Sequence, residues 1–303
     1  MLNHFTFSDD NKRYHTLAYH NRKTYGGRVC KATVDAGLSC PNIDGSRGFG
    51  GCAFCAQTPR CEQSVKNQFE SEKARILRKF PDARILLYYA AHSNTYCSTG
   101  HLSEMLREAI DLDAFGVSIA TRADCLDEEK TALLSRFPRP LTVELGLQTA
   151  HDSTAALVNR CHTFAEFLRG YELLKAHGIR VCVHIINGLP RESAEMMLET
   201  ARILGKLRPD GIKIHLLHIL RGTKLCNMYN SGELRPLEKS EYIDIVARQL
   251  ELLPPETVIE RVTGDGDKNL LVAPLWSMDK ISVLGGLDKR LAELNTFQGR
   301  YFV

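Results

Sequence analysis

From residue 84 onward, short apolar runs rich in β-branched residues alternate with longer stretches of helical periodicity, and the runs recur about every 30 to 40 residues. This alternation is typical of βα units, whose strands pair in parallel and are buried on both faces. Right-handed crossovers curl such a series, so we expect an α/β protein with a full or partial barrel of six to seven parallel strands. The runs that predict strands cover residues 29–34, 84–91, 115–121, 141–148, 180–187, 211–220 and 258–263.

Local signals mark where helices begin and end. Thr163 and Glu166 have the spacing of a capping box, and His177-Gly178 is predicted to end that helix. Ser240 is predicted to begin a later helix, which Pro254 ends. No low-complexity linker separates the units. The predicted division is a basic N-terminal extension, a barrel core and a C-terminal cap, over residues 1–27, 28–255 and 256–303.

Composition excludes several classes of protein. The chain of 303 residues has 39 Lys and Arg against 36 Asp and Glu, with 44% apolar residues, so it is not a disordered polymer. Its longest apolar run, residues 85–91, is far shorter than the ~20 residues of a spanning helix, and its start does not resemble a secretory signal. Ten cysteines in such a chain indicate reduced thiols. We expect a cytoplasmic protein that does not interact with a membrane.

Three cysteines suggest a metal site. Cys40, Cys52 and Cys55 have the spacing C-x11-C-x2-C in a glycine-rich loop, and close thiolates suit zinc or an iron–sulfur cluster. A zinc ribbon needs a fourth ligand, for which Cys61 is available. Three cysteines on a four-iron cluster leave one iron open for substrate or cofactor chemistry. The spacing alone does not distinguish a zinc ribbon from a four-iron cluster.

The loop resembles the cluster loop of radical S-adenosylmethionine enzymes. Phe54 stands just before the last cysteine, and the long first gap ends in Gly-Gly-Cys-x-Phe-Cys. This pattern resembles coproporphyrinogen-dehydrogenase-like and elongator-like radical enzymes, and among them the YhcC/YtqA (MnmL-like) family. Further segments similar to this family follow in order along the chain, at residues 117–124, 143–149, 185–190, 211–218, 263–266 and 297–302. The resemblance implies a [4Fe-4S] cluster on Cys40, Cys52 and Cys55, with S-adenosylmethionine as second cofactor.

Polar residues near strand ends are the candidate cofactor contacts, because reactive groups in αβ barrels gather at the carboxyl ends of the strands. Ser93 and Asn94 stand where the superfamily has a turn that binds the methionine amino group, although Ser93 as a helix N-cap is an open alternative. The resemblance implies that Gln148 bonds the ribose and that Arg160 binds the methionine carboxylate, while a solvated cation is the alternative for Arg160.

The remaining candidates follow the same logic. Glu144 shares a strand face with Gln148 and is either a cofactor contact or part of a structural ion pair. By resemblance, His184 and Asn187 lie near the adenine or ribose. Thr121 and Arg122 end their strand at the mouth of the barrel. Arg122, which is suited to bind a carboxylate or phosphate, and Glu144 are the candidate catalytic residues.

The N-terminal segment suggests a nucleic-acid substrate. Residues 11–34 contain six Lys and Arg and no Asp or Glu, interleaved with Tyr and His, which suits a phosphate backbone with stacked bases. A solvated basic arm is the alternative. The resemblance to elongator-like enzymes implies transfer RNA, with carboxymethylaminomethyl-uridine at the wobble position trimmed to aminomethyl-uridine. It further implies a flavodoxin or ferredoxin-type electron donor and a downstream tRNA methyltransferase.

Three hypotheses about function remain open at this stage. The first is a radical enzyme that acts on transfer RNA. The second is a radical enzyme that acts on a small molecule, and this hypothesis predicts no salt-dependent affinity for RNA. The third is a non-catalytic, metal-stabilised RNA-binding protein, which would have no reason to place Gln148 and Arg160 twelve residues apart after a strand.

Overall fold

The fold was described from a computed structural model of the chain. The structure describes residues 5–56, 61–264 and 266–303. The first four residues of the predicted extension, and Asp265 in the 263–266 segment, lie outside this range.

Seven parallel strands form the main sheet, which curls into an open half-barrel with helices packed around it. Their order across the sheet is β1-β2-β3-β4-β5-β6-β8, so β1 and β8 are its edges. A second, two-stranded antiparallel sheet pairs β7 with β9. The strands are β1 Val29–Val34, β2 Arg84–Tyr89, β3 Gly116–Thr121, β4 Leu141–Gln148, β5 Arg180–Asn187, β6 Gly211–Leu216, β7 Ile219–Leu220, β8 Val258–Arg261 and β9 Leu271–Ala273.

Helices connect successive strands of the half-barrel and cover its convex face. The α-helices are α1 Leu17–Tyr25, α2 Val65–Lys79, α3 Thr99–Asp111, α4 Glu128–Ser135, α5 Asp152–Leu157, α6 Phe164–Ala176, α7 Ala194–Leu207, α8 Lys224–Asn230, α9 Lys239–Leu252 and α10 Lys280–Glu293. Two 3-10 turns cover Ala123–Cys125 and Leu275–Met278. No helix in the described ranges is long and apolar enough to cross a membrane.

The apolar core lies between the convex face of the sheet and these helices. Leu87, Ile119 and Leu145 on consecutive strands are fully buried and belong to one cluster with Phe69 and Phe167 from the helices. Strands β3 to β6 are buried along most of their length, as expected for a parallel sheet covered on one face and enclosing the other. The concave face is different, because it carries polar and charged side chains.

The predicted full or partial barrel of six to seven parallel strands is confirmed as a half-barrel of seven strands, with two corrections. The strand expected at residues 211–220 stops at Leu216, where the Leu217 N–H bonds to the Asn187 carbonyl and turns the chain. Residues beyond that turn form β7, which pairs with β9. In addition, β8 completes the main sheet although it falls in the predicted cap. The barrel therefore extends past residue 255.

The helix signals were mostly informative. Thr163 and Glu166 form the predicted capping box at the start of α6, and Gly178 follows the helix in a left-handed conformation. The prediction that Ser240 begins a helix is wrong by two residues, because α9 begins after Glu238, which forms its own capping box with Glu241.

The basic N-terminal segment packs into the fold, at the amino ends of the strands. Thr16 bridges to Ile259 on the edge strand β8, and the Ile259 N–H donates to the His15 carbonyl at 2.8 Å. Tyr14 and His15 are 4% and 6% exposed. The expectation that rings of this segment stack on nucleic-acid bases is therefore wrong for Tyr14 and His15, because folding buries them.

Two helical glycines test the packing of the outer layer. A Cβ added to Gly170 in α6 would lie 2.7 Å from the Ala123 carbonyl oxygen, whereas one added to Gly285 in α10 would meet nothing within 4 Å. We expect Gly170→Ala to lower the free energy of unfolding by about 1 to 3 kcal/mol through overpacking. Gly285→Ala, the matched control, should raise it by about 0.5 to 1 kcal/mol. Urea unfolding measures the free energy of unfolding of both variants. Equal changes in the two variants would contradict the described packing.

Candidate active site

A cavity of about 630 Å³ opens at the carboxyl ends of the strands. Cys40, Cys52 and Cys55 line it from the loop that follows β1, and Gln148 and His184 line it from β4 and β5. The three predicted cysteines thus border one cavity with residues from strands more than 90 positions later in the chain. This is where reactive groups collect in αβ barrels. Among the described residues, no three His, Cys, Asp or Glu side chains are already arranged as a metal site.

The three thiols differ in environment. Cys52 accepts a hydrogen bond from Cys55, and its sulfur lies 3.4 Å from Asn42 Nδ2 and 3.7 Å from Arg160 Nη1. The Cys55 thiol and the Arg160 guanidinium hold the pKa of Cys52 well below its usual range despite its burial. The pKa of Cys55 is raised, chiefly because its thiol donates that bond. The environment therefore favours the thiolate at Cys52, which is the form that binds metals.

Contacts with residues 157–161 hold the cysteine loop in shape. Asn159 Nδ2 donates to the Gly51 carbonyl at 2.7 Å, and the Ala53 N–H donates to the Val158 carbonyl at 2.9 Å. Asn42 is fully buried and donates to the Asn159 carbonyl. Gly51 has a φ of 73°, which a side chain rarely adopts. The chain therefore shapes the loop through its own hydrogen bonds.

Arg160 and Gln148 pack together over Gly146. Arg160 Nη2 donates to the Gly146 carbonyl at 2.6 Å, and a Cβ on Gly146 would lie 2.9 Å from that nitrogen and 3.0 Å from Gln148 Nε2. Gln148 ends β4 at a bulge, with a φ of 76° that turns its side chain out of the strand pattern. Glycine at position 146 is what allows both side chains to converge here.

Two polar atoms of this pair lack partners. Gln148 Oε1 and Arg160 Nε are buried and make no hydrogen bond within the described chain. A buried polar atom without a partner is costly, so natural structures usually supply one. Because both residues line the cavity with the cysteines, a bound molecule is the natural partner.

Glu144 is the centre of a buried ion cluster on the concave face. Its carboxylate accepts hydrogen bonds from Lys31 at 2.5 Å, Tyr88 at 2.7 Å and His184 at 2.8 Å, and it also pairs with Lys213. Burial alone would raise the pKa of Glu144, but Lys31, His184 and Lys213 together hold it well below its usual range. Glu144 is therefore ionised, and both Glu144 and its partner His184 line the cavity.

The cluster continues across the opening of the half-barrel. Lys31 on β1 also pairs with Glu260 on β8 at 3.0 Å, and Arg180 on β5 pairs with Glu260 at 2.8 Å. Since β1 and β8 are the two edges of the sheet, the Lys31–Glu260 ion pair joins them without a strand-to-strand ladder.

Ser93 and Thr121, which the sequence predicts to lie near the cofactor, both line the cavity. Ser93 Oγ lies 3.8 Å from Cys40 Sγ, and Thr121 exchanges a hydrogen bond of 2.6 Å with Thr95. The alternative of Ser93 as a helix N-cap is wrong, because Ser98 caps the following helix α3.

Three other predicted residues are engaged in protein contacts. Asn94 Nδ2 donates to backbone carbonyls at the carboxyl ends of β2 and β3, including the Ala120 carbonyl at 3.0 Å. Asn187 exchanges two hydrogen bonds with Gln249 of helix α9, so its amide faces the helical layer and does not line the cavity. Arg122 is 2% exposed although it borders the cavity.

The Arg122 guanidinium has little capacity left for a ligand. It forms a two-point ion pair with Asp124 at 2.7 and 2.8 Å and donates to the carbonyls of Arg160 and Cys161. Its geometry favours a positioning role, in which it holds the segment that carries Arg160, over direct contact with a substrate carboxylate.

Sequence reasoning missed the role of several residues. Lys213 was passed over, although a lysine inside the apolar strand Gly211–Leu216 signals a buried, paired cation. Lys31 was counted with the basic segment and Tyr88 was unremarked, because only the sheet register shows that they face Glu144. No signal of comparable strength marked Asn42 or Asn159.

Comparison with known proteins finds relatives over almost the whole chain. A profile of the Radical SAM superfamily matches residues 45–204, and one of the Radical_SAM C-terminal domain matches residues 209–293. Uncharacterized protein YtqA of Bacillus subtilis (strain 168) is 42% identical over 309 residues, 99% of this chain and 96% of the relative. Protein YhcC of Escherichia coli (strain K12) is 32% identical over 280 residues, 89% of this chain and 90% of the relative.

One solved structure has a related fold. The archaeal Methanocaldococcus infernus Elp3, solved with an N-terminal deletion, matches with a TM-score of 0.69 and 18% identity. The match covers 89% of this chain and 65% of the archaeal chain, so this chain spans about two thirds of that protein's length.

The buried cluster predicts a large cost for removing Glu144. In Glu144→Gln, Lys31 and Lys213 lose their shared counterion, so the free energy of unfolding should fall by about 3 to 5 kcal/mol. Glu195→Gln is the matched control, because the exposed Glu195–Arg202 pair should contribute at most about 1 kcal/mol. Urea unfolding at neutral pH checks both.

The sign of the pH dependence follows from the lowered pKa of Glu144. The unfolded pKa of Glu is about 4.3, so the stabilisation is complete above that pH and is lost as pH falls toward the lower folded pKa. The difference in free energy of unfolding between wild type and Glu144→Gln should therefore become smaller in acid. A difference independent of pH would contradict an ionised Glu144.

Proposed function

The chain belongs to the radical SAM superfamily, within a YhcC/YtqA-like family of radical SAM enzymes, and we propose that its substrate is transfer RNA. Enzymes of this superfamily bind a [4Fe-4S] cluster and S-adenosylmethionine. The observation that supports cofactor binding is the cavity that three thiols line together with Gln148 and Arg160, both of which have an unpartnered polar atom. The choice of transfer RNA rests on the resemblance to elongator-like enzymes.

The residues present fit both cofactors. Cys40, Cys52 and Cys55 supply three soft thiolate ligands, which suit three irons of a four-iron cluster and leave the fourth open. Arg160, whose Nη1 lies 3.7 Å from Cys52 Sγ, would bind the methionine carboxylate beside the cluster. Gln148 Oε1 would accept a hydrogen bond from the ribose. When bound, cluster and S-adenosylmethionine together supply the one-electron chemistry that activates a substrate C–H bond.

Several residues of the chain would orient the groups that hold the cofactors. Arg122 and Asp124 hold the segment of Arg160, and Asn159 and Asn42 hold the cysteine loop against it. Ser93, 3.8 Å from Cys40 Sγ, borders the same space and is placed to contact the cofactor.

For the substrate, we propose conversion of carboxymethylaminomethyl-uridine to aminomethyl-uridine at the wobble position of transfer RNA. The sequence resemblance to elongator-like enzymes supports this proposal, and the fold shared with archaeal Elp3 is consistent with it. The reaction would run in the reducing cytoplasm with a flavodoxin or ferredoxin-type electron donor, and a tRNA methyltransferase would act on the product.

The RNA contact is proposed at the rim of the cavity. The basic segment of the N-terminal extension sits at the other end of the strands, where His20 and Tyr25 line a separate depression with Arg180. At the cavity, Leu220 and Leu270 line the mouth. Three exposed basic residues follow or precede them closely in the chain: Arg221 and Lys268 in loops, and Lys224 at the start of helix α8. These cations are better placed for the phosphates of a substrate whose base enters the cavity.

The cluster assignment predicts which cysteines matter. Cys40→Ala, Cys52→Ala and Cys55→Ala should each lose the four-iron cluster after anaerobic reconstitution, because each removes one of three ligands. Cys61→Ala should keep it. Iron and sulfide analysis with electron paramagnetic resonance of the reduced protein measures this. Loss of the cluster in Cys61→Ala, or stoichiometric zinc that resists iron loading, would favour the zinc ribbon.

The substrate proposal predicts a change in tRNA nucleosides. A strain lacking the protein should accumulate carboxymethylaminomethyl-uridine and lose aminomethyl-uridine and its methylated product, as measured by mass spectrometry. An unchanged nucleoside profile would shift the assignment to a radical enzyme that acts on a small molecule.

Binding in vitro separates the two basic surfaces. The double variant Arg221→Ala with Lys224→Ala should weaken tRNA binding. It should also reduce the slope of log binding constant against log salt concentration by about one or two, since each phosphate contact releases counterions. Arg22→Ala with Lys23→Ala, at the opposite end of the strands, serves as the control and should leave both unchanged. The reverse result would return RNA binding to the N-terminal segment.

A further inference from the structure

Hydrogen-bond donors are distributed unevenly over the three thiols of the cysteine loop. Asn42 Nδ2 lies 3.4 Å and Arg160 Nη1 lies 3.7 Å from the sulfur of Cys52, which is only 5% exposed. No nitrogen donor of the described residues comes within hydrogen-bond distance of the other two sulfurs, and Cys40 has only the Ser93 hydroxyl nearby, at 3.8 Å. The Cys52 sulfur is therefore the one that the protein surrounds with N–H groups.

Both hydrogens of the Asn42 amide are committed within the protein. One is donated to the Asn159 carbonyl, and the other is available to the Cys52 sulfur. Exchanging the amide nitrogen and oxygen would place Oδ1 against two acceptors, a carbonyl oxygen and a sulfur, so these contacts decide which end of the amide faces the sulfur. Asn42 is thus an N–H donor to Cys52.

The Asn42 amide carries a cost in stability. The residue is fully buried, and its Oδ1 makes no hydrogen bond within the described chain. The backbone of Gly48 closes over this oxygen, because a Cβ added there would lie 2.6 Å from it. A buried acceptor without a partner is unfavourable and calls for an explanation. The hydrogen bond to a backbone carbonyl offsets this cost only in part, and the contact with Cys52 is the further interaction that the amide makes.

The backbone of the loop fixes the position of this amide. The Gly51 N–H, directly before Cys52, donates to the Asn42 carbonyl at 2.8 Å, and Asn159 Nδ2 donates to the Gly51 carbonyl at 2.7 Å. Neither bond involves a sulfur atom, so both can persist when the thiolates bind iron. We therefore expect the Asn42 amide to stay beside the Cys52 sulfur in the cluster-bound protein.

Hydrogen bonds to the sulfurs are among the factors that set the reduction potential of an iron–sulfur cluster. Reduction adds electron density to the ligand sulfurs and makes them better acceptors, so an N–H···S bond stabilises the reduced form and raises the potential. We propose that Asn42 raises the reduction potential of the iron–sulfur cluster through its hydrogen bond to Cys52. This inference rests on the proposed function for the presence of the cluster, and it concerns a residue that binds neither iron nor S-adenosylmethionine.

Arg160 approaches the same sulfur but has a different role. It lines the cavity and is assigned to the methionine carboxylate, so its contact with Cys52 can change when the cofactor binds. Asn42 does not line the cavity and has no hydrogen left for a ligand. Its effect on the potential should therefore be the same with and without S-adenosylmethionine.

Redox titration of the reconstituted protein, followed by electron paramagnetic resonance of the reduced cluster, tests the proposal. Asn42→Leu keeps the approximate size of the side chain and removes the donor. The equilibrium constant for reduction should fall about tenfold, which lowers the potential of a one-electron couple by about 59 mV. The shift should not depend on S-adenosylmethionine. An unchanged potential in Asn42→Leu overturns the proposal.

Asn159→Gly is the matched control for a loosened loop. It removes the two hydrogen bonds that Asn159 Nδ2 donates to the loop but no donor to a sulfur, and glycine readily adopts the φ of 53° at this position. Its midpoint of thermal unfolding should fall while its potential stays near that of wild type. An equal fall in potential in Asn159→Gly and Asn42→Leu would assign the effect to the loop and overturn the proposal.

A second measurement applies if Asn42→Leu does not retain the cluster. Reconstitution in deuterated buffer replaces N–H by N–D, so the iron–thiolate bands of the resonance Raman spectrum should shift where an amide donates to a ligand sulfur. Because Arg160 is also near Cys52, the comparison is repeated in Arg160→Ala, which should keep the shift. A shift that is absent from wild type, or lost in Arg160→Ala, overturns the role of Asn42.

Failure of the proposed function gives a different result. If wild type takes up no four-iron cluster on Cys40, Cys52 and Cys55, the cluster assignment is wrong and the role of Asn42 is wrong with it. If the cluster forms and its potential is the same in wild type and Asn42→Leu, the cluster assignment stands and only the role of Asn42 is wrong.

Discussion

The structure depends on a carboxylate buried in the concave face of a parallel sheet. Glu144 receives donors from β1, β2, β3, β5 and β6, so one side chain links most of the strands. A barrel filled by apolar side chains would have a packed centre. Here the charged interior keeps the curled sheet open between β1 and β8, and the Lys31–Glu260 pair spans the gap. The space above this cluster becomes the cavity in which the cysteine loop and β4 meet.

The cavity is assembled from conformations that ordinary residues avoid. Gln148 and Asn159 both have positive φ values, and Gly146 and Gly51 make room where side chains or turns converge. The positive φ values of Gln148 and Asn159 are unfavourable in isolation and persist because neighbouring hydrogen bonds fix them. These two positions and the unpartnered atoms of Gln148 and Arg160 lie beside the thiols, as expected of a site organised for a ligand.

Much of the fold was accessible from sequence, because apolar periodicity reports directly on which segments are strands. The cysteine triplet was equally accessible, since its chemistry depends on spacing within one loop. What periodicity does not carry is the direction of each polar side chain. His184 and Asn187, three residues apart on β5, are expected on opposite faces, but the sequence does not show that the His184 face borders the cavity and the Asn187 face contacts helix α9. The sequence groups Lys31 with a basic segment for which a solvated arm is one interpretation, and only the register of β1 shows that Lys31 contacts Glu144. Arg122 was correctly placed near the cavity, but its ion pair with Asp124 depends on a turn that the sequence alone does not describe.

The contact between the two ends of the sequence has a consequence for synthesis. The His15 N–H donates to Gln298, whose side chain also bonds the carbonyls of Pro254 and Thr257 just before β8. A ribosome releases these partners in order, so the segment around His15 emerges long before Gln298 exists. The edge strand β8 and the N-terminal segment that covers it can therefore complete their contact with this side chain only after Gln298 has been synthesised. Until then the nascent chain carries an unfinished sheet edge, which is the kind of surface that recruits other strands and that cells shield during synthesis.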